Sequence, residues 1–154
     1  MTALVRKNRP NLTRICANLL QPLGFCQHGR FFVREQAECF QIIDIQGSRY
    51  SPATYINQTV WFKVVGEYPG GEGAFQFSAR MESHAESERL HWEDVLDASG
   101  DLIPRAAWAG EVARLVQSRL PLFDLVATPA LAIANEASGL LTNCWLGTHL
   151  LPQA

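Results

Sequence analysis

The sequence predicts an α+β domain: an antiparallel sheet of about four strands, with N- and C-terminal helices packed on one face. Three observations predict it. An amphipathic stretch opens the chain, strand-like runs fill residues 25 to 81, and two helical stretches close it. At 154 residues, 47% hydrophobic and 18% charged, a single domain over residues 1–154 can bury a core without disulfide or metal staples.

The first helix is expected over about residues 9 to 22. Leu12, Ile15, Cys16, Leu19 and Leu23 recur at spacings of three and four, with Asn8 placed to cap the start and Gly24 just past the end. Phe25 to Glu35 and Glu38 to Gln46 then read as two strands of a hairpin around Gln36-Ala37, with Phe25, Phe31 and Val33 sharing a face that Gly29 interrupts. Tyr55 to Val65 is rich in β-branched and aromatic residues. Its Ile56, Val60, Phe62 and Val64 point one way and Tyr55, Asn57, Thr59 and Lys63 the other. After the loop EYPGGEG, the run AFQFSARM alternates, placing Phe75, Phe77, Ala79 and Met81 inward and Gln76, Ser78 and Arg80 outward. The polar segment ESHAESERLHWEDVLDASGD holds at most a short helical turn. Pro104 opens a helix with an apolar stripe of Trp108, Val112, Leu115 and Val116 that ends near Pro121, and a last helix runs from Thr128-Pro129 to Gly139.

Several function classes are disfavoured by composition. Basic residues at the start lack an apolar segment behind them, so a secretory signal is not expected and a cytoplasmic location is. The stretch LVATPALAIA is too short and too broken for a membrane span. Cys16, Cys26, Cys39 and Cys144 form no CxxC pair and read as small buried hydrophobes. The net charge of −2 is unevenly spread: residues 1–50 carry seven Lys/Arg against three Asp/Glu, residues 51–101 three against nine, and the rest three of each. An acidic middle third argues against nucleic acid and leaves a basic partner as the matching one.

Two constellations have the residue types for chemistry. On a helix, His84, Glu88 and His91 would share a face suited to a metal, but the bland reading, a solvated acidic stretch with two histidines, is preferred. Cys26 and His28 alternate onto one strand face as a thiol-imidazole pair, without an orienting acid. No metal, cofactor or catalytic set is assigned. PGGEG lacks phosphate-loop spacing and is a turn.

Two candidate sites remain. Glu82, Glu86, Glu88, Glu93, Asp94 and Asp97, with Trp92 in their midst, form an acidic docking surface for a basic protein. Gln46, Ser48 and Arg49 end one strand opposite Asn57 on the next, a polar corner that either satisfies loose backbone groups or lines a small ligand pocket.

The succession LLQPLGFCQHGRFFVRE, FQIIDIQGSRYS, TYINQTVWF and ARMESHAESERLHWEDVL resembles the bacterial domain-of-unknown-function family numbered 4304. The resemblance runs over roughly residues 10 to 97 and rests on Gly24, Phe25, Gly29, Phe32, Arg34, Gln46, Ser48, Asn57, Arg80 and Trp92 in order, with the C-terminal third matching as generic helices. QTVWF stands where that family more often has a small glycine-containing run. The resemblance implies no established activity. Small bacterial domains of this kind are sometimes immunity proteins, and by that analogy the expectation is a non-enzymatic binding domain whose acidic face neutralises a basic toxin or nuclease. The alternative is a small-ligand-binding domain or enzyme using the Gln46, Ser48, Arg49 and Asn57 corner.

Overall fold

The computed structural model describes residues 9–70, 75–83, 88–97 and 102–147. Among them α1 (Arg9–Leu20) leads into a six-stranded antiparallel meander of β1 (Cys26–His28), β2 (Phe31–Glu35), β3 (Cys39–Gly47), β4 (Thr54–Phe62), β5 (Phe77–Arg80) and β6 (Cys144–Leu146). Helices α2 (Arg89–Val95), α3 (Arg105–Arg119) and α4 (Pro129–Ala137) lie in the chain between β5 and β6. The α+β class is as the sequence predicts, with six strands rather than four.

In α1, Leu12, Cys16 and Leu20 are the fully buried stripe, four residues apart each time, so the helix turns one face to the core. A 3₁₀ turn (Gln21–Leu23) extends it, and Gly24, at φ 94°, ends it by donating its N–H to the Gln21 carbonyl. Leu23 is exposed and Leu20 takes the core position. Asn8 lies outside the described residues.

The expected strand over residues 25 to 35 is two strands. Gly29 has φ 62° at the first of two residues linking His28 to its partner Phe31, the conformation a tight hairpin needs and glycine adopts most easily. This reversal resets the alternation. Phe32 is the core residue of β2, whereas Phe31 and Val33 face outward and are half-buried.

β3 and β4 are nine residues each, paired from Cys39↔Phe62 to Gly47↔Thr54. Their inner row is Cys39, Gln41, Ile43 and Ile45 against Ile56, Gln58, Val60 and Phe62, all buried. On it sit Val112, Leu115 and Val116 of α3 and Phe123 and Val126 of the following 3₁₀ segment (Leu120–Val126), in one hydrophobic cluster with the α1 stripe. Complete burial of Phe32, Phe62, Phe77 and Phe123 stabilises the fold by about 1.5–3 kcal/mol each. Gln58 Nε2 donates to the Arg119 carbonyl at 3.0 Å, tying the sheet to the end of α3. Thr128 caps α4 by accepting from Leu131 N–H at 3.1 Å.

β5 is less than half the length of β4, and the surplus of β4 is met by side chains. Beyond one end of β5, Gln76 Oε1 accepts from Phe62 N–H at 2.7 Å. Beyond the other, Glu82 Oε2 accepts from Ile56 N–H at 3.4 Å. Gln76 is therefore buried, not outward as alternation implies. Val64, expected to continue β4 inward, is exposed in a 3₁₀ turn (Lys63–Val65). Of the cysteines, Cys16 and Cys39 are buried, but Cys26 is exposed on β1 and Cys144 is half-buried on β6. No helix among the described residues is long and apolar enough to cross a membrane.

Candidate functional site

Where β5 stops at Arg80, opposite Asn57, the start of β4 projects past it and leaves a gap in the sheet. A cavity of about 420 Å³ occupies this gap. One wall is Ser51, Pro52 and Ala53 of the β3–β4 turn (residues 48–53), which Ser48 N–H closes by donating to the Ala53 carbonyl at 3.0 Å, together with Thr54 and Tyr55. Opposite stand Arg80 and the 3₁₀ turn after it (Met81–Ser83). Glu93 and Asp94 of α2, with Asp97 just beyond its end, complete the rim.

Glu82 is the deepest charged group of this site, with 2% of its surface exposed. Its Oε2 holds Ile56 N–H, while Oε1 is buried with no hydrogen-bond partner among the described residues. Burial pushes the carboxyl up to about 7, against the stabilising pull of the backbone N–H groups of Glu82 itself and of Ile56, and of Arg80; Glu93 adds to the rise. Thr54, another lining residue and 4% exposed, also has a buried oxygen, Oγ1, without a partner among the described residues. Buried polar atoms are nearly always paired, so two unpaired oxygens on residues lining one cavity mark it out.

Among the described residues that line the cavity, the carboxylates Glu82, Glu93, Asp94 and Asp97 stand with one cation, Arg80, while Arg89 Nε lies 3.7 Å from Glu93 Oε1 at the rim. The guanidinium of Arg80 lies 3.9 Å from the Tyr55 ring centroid, flattened against the wall.

The acidic stretch read from the sequence is thus divided by the fold. Glu82, Glu93, Asp94 and Asp97 converge on the cavity. Trp92, 3% exposed, is a core residue, not a surface anchor: α2 buries it, and Arg114 of α3 covers its ring at 4.4 Å. Glu88 stands 3.8 Å from the same Arg114. Glu86 and His84 lie outside the described residues. His91 Nε2 is 3.0 Å from Glu111 Oε2, and with Arg114 it holds the Glu111 carboxyl below its ordinary range. This network joins α2 to α3, as does Trp108 Nε1 donating to the Val95 carbonyl at 2.7 Å.

The polar corner forms on the sheet face that also carries Tyr55 and Arg80, since Gln46 pairs with Tyr55 and Asn57 with Arg80, and it is paired within itself. Asn57 Nδ2 donates to Gln46 Oε1 at 3.0 Å and reaches Asp44 Oδ2 at 3.5 Å, and Asp44 Oδ1 is 3.0 Å from Arg30 Nε. Ser48 Oγ accepts from Tyr50 N–H at 3.2 Å, and Arg49 is exposed in the turn. None of Gln46, Ser48, Arg49 and Asn57 lines the cavity. Sequence reasoning missed Thr54, Tyr55 and Arg80 as cavity residues. Glu82 meets Ile56 across 26 positions, a pairing for which no local pattern exists.

The fold and site together define a six-stranded antiparallel meander backed by helices, with an acidic cavity past its fifth strand. The chain matches the family described as Domain of unknown function (DUF4304) over residues 16–120, and it belongs to that family. The match covers β1 to β5 and all of the cavity, and it continues through α3 beyond the residue 97 at which the sequence resemblance was expected to fade. No curated protein matches the chain, and no solved structure does.

Proposed function

We propose that this domain acts by binding, and that it recognises a basic protein through the acidic rim of the cavity beyond β5. The observation that carries the reading is the convergence of Glu82, Glu93, Asp94 and Asp97 on one cavity whose lining, among the described residues, includes one arginine. Complementary charge accelerates encounter and selects against acidic partners, including nucleic acid. An immunity-type role, in which the domain sits on a basic toxin or nuclease and blocks it, is the biological setting this surface suits. A location in the cytoplasm fits the same setting. The polar corner is the weaker site, because Asn57 and Gln46 already pair with each other.

The test is capture from a lysate of the source organism at low and high salt, comparing the native chain with a Glu93→Lys, Asp94→Lys, Asp97→Lys variant. A basic protein retained at low salt, released at high salt and absent from the variant supports the reading. Capture that neither salt nor charge reversal disturbs would sink it.

A further inference from the structure

We propose that the cavity beyond β5 is a socket for one cationic group, an alkylammonium or a guanidinium, seated on Glu82 Oε1 and Thr54 Oγ1 within the acidic rim. This rests on the acidic-face reading above and names the atoms of that face that hold the charge. Both oxygens belong to residues that line the cavity, and both are buried with no hydrogen-bond partner among the described residues. An ionised carboxylate only accepts hydrogen bonds, and a threonine hydroxyl has two lone pairs to offer, so a group rich in N–H donors satisfies both. Among the described residues four carboxylates line the cavity against Arg80, with Arg89 3.7 Å from Glu93 at its edge, and the surplus of negative charge selects a positive one. Among the described residues no three His, Cys, Asp or Glu side chains converge as metal ligands, so the spread of acceptors suits an organic cation better than a compact ion. Arg80 leaves the cavity open, because its guanidinium lies on Tyr55.

Seating the cation also moves a proton. Burial holds the Glu82 carboxyl at about 7, so near neutral pH a large share of the empty protein carries it as the acid. The groups facing it are Arg80 from β5, Tyr55 from β4, and Glu93, Asp94 and Asp97 from α2 and its end. An arriving cation favours the carboxylate, and the Glu82 O–H proton passes to solvent.

The experiment follows the Glu82 carboxyl carbon by NMR through a pH titration of the full chain. Runs are made alone and with N-acetyl-arginine amide, N-acetyl-lysine amide, spermidine, or the uncharged isostere N-acetyl-citrulline amide. Expected is a fall in the Glu82 midpoint with a cationic probe and none with citrulline, and a loss of about ten-fold or more in affinity in Glu82→Gln. That variant keeps an acceptor for Ile56 N–H, and a melting temperature no lower than that of the native chain shows that it folds. A response to the blocked amino acids identifies a protein side chain as the source of the cation; one to spermidine identifies a small amine. Citrulline binding as well as arginine, or Glu82→Gln binding as the native chain does, overturns the socket. If Glu82→Gln is silent while the triple-lysine variant still loses its partner, the socket falls and the acidic face stands. If both are silent, both fall.

Discussion

The two polar regions of this sheet differ in one respect that separates architecture from recognition. On the outer face, Asn57, Gln46, Asp44 and Arg30 hold one another at 3.0 to 3.5 Å. Past the end of β5, Glu82 and Thr54 are buried at least as deeply, yet each keeps an oxygen with no partner among the described residues. Polar groups that close on themselves stabilise a fold. Polar groups left open at a cavity cost stability until something arrives.

Four substitutions break or sharpen this contrast, in descending order of effect. Trp92→Ala, in the acidic stretch but spent on the core, should destabilise by about 3–5 kcal/mol, seen as a large drop in melting temperature. A small change would return Trp92 to the surface site. Glu82→Gln should do the opposite at pH 8, stabilising by about 1–3 kcal/mol. The sign follows from the raised carboxyl. Between its ordinary 4.5 and about 7 the folded state holds more protons than the unfolded, so native stability falls as pH rises through that window and is flat above it. The advantage of the glutamine should therefore shrink on acidification and vanish below about pH 4.5, as urea melts at pH 8, 6 and 4.5 would show. On the paired side, Asn57→Ala strands Gln46 Oε1 and should cost about 1–2 kcal/mol. Thr54→Val removes an oxygen that has no partner among the described residues, at constant shape, and should be neutral or stabilising by up to about 1 kcal/mol. A loss in that variant as large as for Asn57→Ala would erase the distinction between the two regions.

The sequence was legible where one period governs a whole element. Leu12 and Cys16 on α1, Ile56, Val60 and Phe62 on β4, and the stripe Val112, Leu115 and Val116 on α3 all sit in the core as their spacing implies, although Leu20 rather than Leu23 completes the α1 stripe. It misled where the chain reverses inside an apolar run. Gly29 turns the strand after His28 and so moves the core position from Phe31 to Phe32, in a stretch where adjacent phenylalanines hide the shift. β6 was missed because it has three residues and pairs with β5, more than sixty positions upstream. Of the site, the carboxylates were legible as a charge excess, but not their division. Whether Glu82 reaches inward depends on where β5 ends relative to β4, a register that no run of residues encodes locally.

The unequal lengths of β4 and β5 leave the longer strand clasped at its two ends by different fastenings. At one end the Phe62 amide hydrogen is held by a glutamine, whose strength as an acceptor does not vary with pH; at the other the Ile56 amide hydrogen is held by an acid that changes charge near neutrality. The slow trading of those two hydrogens for solvent deuterium then becomes an internal clock pair. With the rise in exchange that every amide shows with pH divided out, the Phe62 hand is the reference. The Ile56 hand quickens as Glu82 ionises, because the opening that frees it also hydrates the carboxylate, and so it reports on the state of the cavity from within the backbone.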